Sequence, residues 1–432
     1  MPDRLPGVKA LANFFPSFRH LDSNAKHLML AAGLLDWGGG YFLVARPIYL
    51  YAVGFSAITV GALISLQLFL GMVLSIPVGM ASDAFGRKRF VVFGLLLDAV
   101  GAFLFFYSSS LVALVVAQVL FAVVNAAAGS PFMALFTDST TSGNRNNLFA
   151  LLGFIVGISM AVGGYASWLM APLEGLLGVG YLGGFRLLFL LVSLTSLAGG
   201  AFVALSVSES RERSGQREGF SLRGMVKLPR KSMGVVKRFS IIGFTGFGAG
   251  LLIPLLPLWF NVRFEVDISV TGPLFGSIFL VTAFASLFTP AMARKRGSVF
   301  TIVATQLSAI ALLVSMPFAP NYFYAGALMV ARSTLANMAG PIMSSFTMGL
   351  VHPEERATAS SIIQLFDNIP RAYGPTVNGY LLSLGMIDLP FYITALLYLV
   401  SSSLFYFFFR HVRPPRPPEA AAPESGGAVQ SA

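Results

Sequence analysis

The sequence predicts an all-α polytopic membrane protein folded as two pseudo-symmetric six-helix bundles. Three observations lead there. The chain of 432 residues is 56% apolar and only 11% charged, with a mean hydropathy of +0.76, which is too little polar surface to clothe a soluble core. Apolar runs of about 18 residues or more recur along the whole length, each long enough to cross a bilayer. Landmarks of the first half return in the second at a nearly constant offset of 210 residues. The runs are rich in Gly, Ala, Leu and Phe on every face and do not alternate in polarity, so they read as helices and not as barrel strands.

The elements follow in chain order. Residues 1–27 are expected to form a cytoplasmic N-terminal segment, in which Arg4, Lys9, Arg19 and Lys26 surround Phe14, Phe15 and Phe18. They lack the short apolar core and cleavage site of a signal peptide, so they are expected to be retained and to lie on the membrane surface. Spans are expected at 28–51, 56–80, 90–107, 111–136, 147–170 and 184–207, forming the N-terminal bundle over 28–207. Residues 208–235 are rich in Ser, Arg and Glu without an apolar period and read as a cytoplasmic linker. Further spans at 236–259, 267–291, 298–317, 321–349, 357–383 and 387–409 form the C-terminal bundle over 236–410. The tail 411–432, opening on Arg413-Pro-Pro-Arg-Pro-Pro-Glu, cannot bury enough apolar surface to order itself.

Charge sets the orientation. Lys and Arg concentrate in the termini and the even-numbered loops, and only Arg186 and Arg263 fall in the odd ones. Both termini are therefore expected in the cytoplasm, with the chain in the plasma membrane. The same sidedness accounts for the net charge of +11, so the basic face is expected to meet anionic lipid headgroups and not nucleic acid. Enzyme signatures are missing: there is no phosphate-cradling glycine loop, no His pair at metal spacing and no Gly-x-Ser-x-Gly elbow. No cysteine is present for a disulfide, thiolate metal site or nucleophile. His20, His27, His352 and His411 all fall near expected cytoplasmic boundaries. The chain thus reads as a monomer without cofactor, metal or catalytic centre.

The repeat is legible residue by residue. Ser130-Pro131-Phe-Met133 matches Gly340-Pro341-Ile-Met343, and Arg46-Pro47-Ile-Tyr49 aligns with Leu256-Pro257-Leu-Trp259, so a kinking proline recurs at one depth. Duplicated bundles of this kind place a solute site near the midplane and rock about it.

Between the second and third spans stands Gly79-Met-Ala-Ser-Asp83-Ala-Phe-Gly86-Arg87-Lys88-Arg89. A tight polar hairpin is required there: Gly79 permits close approach, Asp83 is placed to cap a helix start and Gly86 to turn the chain. This run resembles the signature of the major facilitator superfamily. Pro353-Glu354-Glu355-Arg356-Ala357 is similar to the family's turn between helices ten and eleven, and Asp138, closing helix four, sits where members pair an acid with the signature arginine. The resemblance spans about Leu28 to Phe409. It implies a secondary transporter working by alternating access, in which Gly79, Asp83, Gly86, Arg87 and Asp138 form a cytoplasmic latch for the outward-facing state. The bland reading of Arg87, Lys88 and Arg89 is obedience to the positive-inside rule. The second half departs from the signature, since Thr289-Pro-Ala-Met-Ala293-Arg294-Lys295-Arg296-Gly297 keeps cations but no acid.

Charges inside spans each cost several kcal/mol in hydrocarbon unless they meet water or a partner. Asp36 and Arg46 lie in span one, Asp98 in span three, Arg332 in span ten, and Asp367 and Arg371 in span eleven. At about 1.5 Å per residue the acids lie about 12–15 Å from the cytoplasmic ends and the arginines about 20–28 Å. By resemblance, helices one, four, seven and ten line the central cavity and two, five, eight and eleven flank it. Asp36, beside Trp37 and Gly38-Gly39-Gly40, is either a coupling or binding acid or a packing acid satisfied by a hydroxyl or by Arg371. Arg46, before the bending Pro47, can meet a solute anion or a nearby carboxylate. Arg332 has only Ala122 at its equivalent position, an asymmetry that suits a site. Asp367 and Arg371 are four residues apart and read first as an intrahelical ion pair. Asp98 reads as structural. Gln118, Asn125 and Asn337 add neutral cavity groups.

Gln118 stands where many proton-coupled members carry arginine, and the Gly-Pro that drug antiporters often show in helix five is found here in helix eleven, as Gly374-Pro375. Three readings follow. The first is proton-linked export of small amphipathic compounds. The second is uptake or facilitated transport of a polar or anionic metabolite. The third is a nontransporting receptor or scaffold, which would be expected to carry a large added domain.

Overall fold

The computed structural model describes residues 21–141, 145–209, 231–286 and 297–412. The surface-lying segment expected before Leu21, most of the linker, the basic run Arg294-Lys295-Arg296 and the tail from Arg413 lie outside the described residues. Among the described residues every element is helical. The long ones are α1 (Ser23–Ala52), α2 (Ala57–Phe85), α3 (Arg87–Tyr107), α4 (Leu111–Asp138), α5 (Arg145–Tyr165), α6 (Gly180–Ser206), α7 (Met233–Phe264), α8 (Ile268–Ser286), α9 (Ser298–Ser315), α10 (Tyr322–Leu350), α11 (Arg356–Ser383) and α12 (Leu389–Phe409), and α5 continues through a 3-10 turn into a short helix at Met170–Leu177. Among the described residues nine helices are long and apolar enough to cross a membrane; the apolar stretch of α8, Ile268–Phe284, falls short of that length, and α10 and α11 fall outside the nine although they run 29 and 28 residues.

Local chemistry explains the boundaries. Asp22, Ser56, Ser110 and Asn321 each accept a hydrogen bond from a first-turn amide of α1, α2, α4 and α10, satisfying donors that a helix start leaves free. At the sharp α2–α3 turn Gly86 adopts φ 107°, a conformation that a side chain would strain. Asp83 does not cap a helix start. It lies in the last turn of α2, and its carboxylate receives Arg87 Nε at 2.7 Å.

The repeated proline behaves differently in the two halves. Pro47 sits inside an unbroken α1, whereas α7 is interrupted by a 3-10 turn at Ile253–Leu255 just before Pro257. The second half carries Pro254 as well, and two prolines three residues apart remove two donors from one turn. A further irregularity lies in α4, where Asn125–Gly129 form a π turn that shifts the register of every residue beyond it.

Glycine sets how the halves meet. A Cβ added at Gly164 of α5 would lie 2.6 Å from the backbone nitrogen of Gly276 on α8, and one at Gly157 would lie 2.7 Å from the Ala283 Cβ. Gly61 of α2 faces the Pro375 carbonyl of α11, and Gly379 of α11 faces Ala57 in return. Polar bonds reinforce both crossings: the hydroxyls of Tyr165 and Ser277 lie 2.8 Å apart, and the Thr376 amide donates to Ser65 Oγ at 3.1 Å. The closest of these contacts cluster toward the ends of α2, α5, α8 and α11 remote from the basic loops. On the α2–α11 crossing the Phe69 and Tyr373 rings, 6.0 Å apart, are the innermost ring pair. Toward the basic end, a Cβ at Gly79, Gly129, Gly153 or Gly340 would meet nothing within 4 Å.

Candidate functional site

Five polar side chains of α11 fall on one stripe. Ser360, Gln364, Asp367, Asn368 and Arg371 recur at three- and four-residue spacing, and Gln364 and Asn368 are exposed. The stripe runs about 16 Å along the helix, from the basic end to just short of Tyr373. A polar stripe on a lipid-facing surface would cost several kcal/mol per charge. The stripe therefore calls for water or partners beside it, and the glycine crossings lie beyond its inner end.

Arg371 Nη2 donates to Asp367 Oδ2 at 2.6 Å, and Nε donates to the same oxygen at 3.2 Å. This pair sits at the inner end of the stripe with side chains 37% and 29% exposed, so it faces water in part. Gly246 of α7 lies against the Asp367 carbonyl and Gly250 against that of Arg371, which presses α7 and α11 together at the pair. Arg332 of α10 is 4% exposed and meets the buried Tyr398 hydroxyl of α12, with Asp367 and Arg371 in electrostatic range of the same tyrosine. The charges of the second half are thus one connected group.

Inside the spans of the first half, away from the basic end, acids and cations are segregated. Asp36 of α1 and Asp98 of α3 lie near enough for their carboxylates to repel, and Ser196 of α6 donates to Asp98 Oδ2 at 2.6 Å. Neither acid has a salt-bridge partner among the described residues, and Arg371 is committed to Asp367 instead. Arg46 stands ten residues along α1 from Asp36, about 15 Å away. Its Nη1 donates to the side-chain oxygens of Gln67 on α2 and, at 3.2 Å, of Gln118 on α4. Gln118 is fully buried, and both its Nε2 and Arg46 Nε are buried without a partner. Asn125 and Asn337 are exposed on α4 and α10 and join neither group.

At the basic end Arg87 Nη1 donates to Asp138 Oδ2 at 2.7 Å while Nε holds Asp83. All three belong to the first half. The Glu209 carboxylate, just after α6, accepts the Lys88 amide at 3.2 Å and lies beside Gly86, so it caps an α3 terminus that has no side-chain cap of its own. The second half has a counterpart, in which Glu355 accepts the amides of Lys231 and Ser232 ahead of α7. Beside it, the Glu354 carboxylate is held below the ordinary glutamate range by its hydrogen bond to Lys231 Nζ at 3.1 Å and by the lysine charge.

The sequence reading missed Gln67, Tyr398, Ser196 and Glu209. Gln67 was visible as a lone amide in an otherwise apolar span, but neutral side chains of spans two, three, six and twelve were not weighed. No cluster of three or more His, Cys, Asp or Glu able to hold a metal occurs among the described residues.

Comparison with known proteins agrees with this architecture. The multidrug resistance protein 1 of Bacillus subtilis is 21% identical over 373 residues, covering 85% of this chain and 91% of the relative. A crystal structure of a bacterial homologue of the human lysosomal transporter Spinster, inward-facing and occupied, superposes with a TM-score of 0.73 at 16% identity, over 89% of this chain and 96% of that one. The nucleoside transporter NupG, in a point-mutant form, superposes with a TM-score of 0.73 at 12% identity, over 89% and 99% of the two chains. The Major Facilitator Superfamily model matches residues 28–375 and 333–431, nearly the whole chain, and the protein belongs to that superfamily of membrane transporters.

Proposed function

We propose that this protein is a secondary active transporter that exports a small amphipathic organic solute in exchange for protons. The observation that carries the reading is a polar stripe on α11 that leads from the basic end to the Asp367–Arg371 pair and stops at the α2–α11 and α5–α8 crossings, which we read as the wall and floor of a crevice between the halves. A path open at one end and closed at the other by close backbone packing is half of an alternating-access cycle. The two bundles, 28–207 and 236–410, are the rocking bodies, and the positive-inside rule puts the open end and both termini in the cytoplasm. Asp36 is the coupling acid: it lies on α1 with no salt-bridge partner among the described residues, so its carboxyl is free to carry a proton. Asp83, Arg87 and Asp138, with Gly79 and Gly86 shaping the turn, bias the conformational equilibrium from the basic end. The export direction draws on the Bacillus relative's name and on the aromatic content of the spans.

Proteoliposomes with an imposed pH gradient test this. Accumulation of amphipathic compounds that depends on the gradient, and that Asp36→Asn abolishes, is expected. Movement indifferent to the gradient, or unaffected by Asp36→Asn, would overturn the coupling assignment.

A further inference from the structure

Arg46 is a half-buried cation, its Nε fully buried, whose protein partners are all neutral. Gln67 and Gln118 both turn their side-chain oxygens to its Nη1, so both turn their NH2 groups away from it. What remains is a set of donors without an acceptor: Gln118 Nε2 and Arg46 Nε are buried and unpartnered, and no carboxylate reaches the guanidinium among the described residues. Buried donors are normally satisfied, and an uncompensated guanidinium in a protein interior is costlier still. The acids that could have neutralised Arg46 are engaged or distant, Asp367 with Arg371 and Asp36 about 15 Å along α1.

The placement suits a solute. Arg46, Gln67 and Gln118 lie on α1, α2 and α4, about 9–16 Å from the helix ends remote from the basic loops, level with the inner limit of the crevice. Arg46 and Gln67 remain partly exposed while Gln118 is sealed behind them. The α1 segment here is followed by Pro47, which cannot donate a backbone hydrogen bond of its own.

We infer that Arg46, Gln67 and Gln118 form the seat for a carboxylate on the transported solute, resting on the transporter reading above and naming the head group it implies. One positive charge flanked by two amides matches a monoanion; a phosphate monoester, carrying close to two charges, would call for a second cation. Arg186 of α6 donates to Ser109 Oγ at 2.6 Å and to Tyr49 Oη at 3.4 Å, and no second cation is hydrogen-bonded to Gln67 or Gln118 among the described residues. The carboxylate accepts from Arg46 and from the Gln67 amide on the partly exposed side, Gln118 braces the guanidinium from behind, and the amphipathic remainder extends away from the helix interior.

Binding to the full chain in lipid nanodiscs tests the assignment with three probes that share one body: 4-phenylbutyrate, its primary amide and its trimethylammonium counterpart. The butyrate is expected to bind at least about tenfold more tightly than the amide, the discrimination of a charge-assisted hydrogen bond. Arg46→Gln is expected to erase that preference. Because this variant removes a buried network and can fail to fold, Gln67→Glu provides the second arm: it supplies Arg46 with an internal carboxylate, keeps the packing and is expected to weaken the butyrate at least about tenfold without weakening the trimethylammonium probe. Equal binding of butyrate and amide, or butyrate binding untouched by Gln67→Glu, overturns the carboxylate seat. The two proposals fail separately. Proton-driven movement of the amide or ammonium probe without butyrate preference leaves the transporter reading standing, and a Gln67→Glu-sensitive butyrate site without gradient-driven movement leaves the seat standing.

Discussion

Gly164→Ala perturbs the closed end of the crevice with a single methyl group. The added Cβ would sit 2.6 Å from the Gly276 nitrogen and 2.7 Å from its Cα, where ordinary carbon contacts need about 3.5 Å or more. Both neighbours are backbone, so no side chain can swing aside and α5 and α8 must part by about 1 Å. Overpacking of this kind costs about 1–3 kcal/mol. The cost falls only on the arrangement in which these helices touch, so the population with that end apart should rise about 5- to 150-fold. The chain contains no cysteine, which makes a single introduced thiol an unambiguous reporter. In membranes, Thr376→Cys at the closed end should react faster with a polar maleimide when Gly164→Ala is present, and Gln364→Cys on the α11 stripe should react more slowly. Unchanged rates at both positions, or a rise at both, would refute the claim that the crossing is a gate and would mark it as passive packing.

Other outcomes follow from the same contacts. Asp83→Asn should reduce transport several-fold while changing thermal stability by less than about 1 kcal/mol, because the Arg87 pairs are 30–60% exposed and such pairs contribute little to folding; unchanged transport removes the latch. Arg371→Met should destabilise the protein by about 1–3 kcal/mol, and Asp367→Asn added to it should recover part of that loss, since the single change strands a half-buried carboxylate. A double variant no more stable than Arg371→Met in thermal denaturation contradicts the pairing. Glu354 has its carboxylate pulled below the ordinary range by Lys231, so its contribution is present above the unfolded-state value and is lost as pH falls through the folded one. Lys231→Met should therefore lower stability slightly at neutral pH and leave it unchanged below the folded-state value, so that the acid limb of a stability profile flattens.

The helices were legible because bilayer thickness demands long apolar runs, and the expected spans fall on α1 to α12 with shifts of a few residues at most ends. The Asp367–Arg371 pair was legible for a similarly local reason, a four-residue spacing on one helix. Arg46 was visible as an anomaly, but its partners come from two other helices, and no spacing in the sequence links positions 46, 67 and 118. The π turn at Asn125–Gly129 also escaped, because nothing in Asn-Ala-Ala-Ala-Gly marks a wider turn than the ordinary α-helical one. Asp83 was placed by its helix-capping propensity, and the nearer Arg87 guanidinium outcompeted the amides for its carboxylate.

The central claim is that one crevice between two rocking halves opens at either end in turn. Distances between paired spin labels on α4 and α10 address it most directly, with Ser139→Cys and Met348→Cys at the basic end and Leu111→Cys and Phe323→Cys at the other. On adding Gly164→Ala, the account predicts a shorter basic-end distance together with a longer distance at the opposite end. Distances that lengthen together, or remain fixed at both ends, would contradict it.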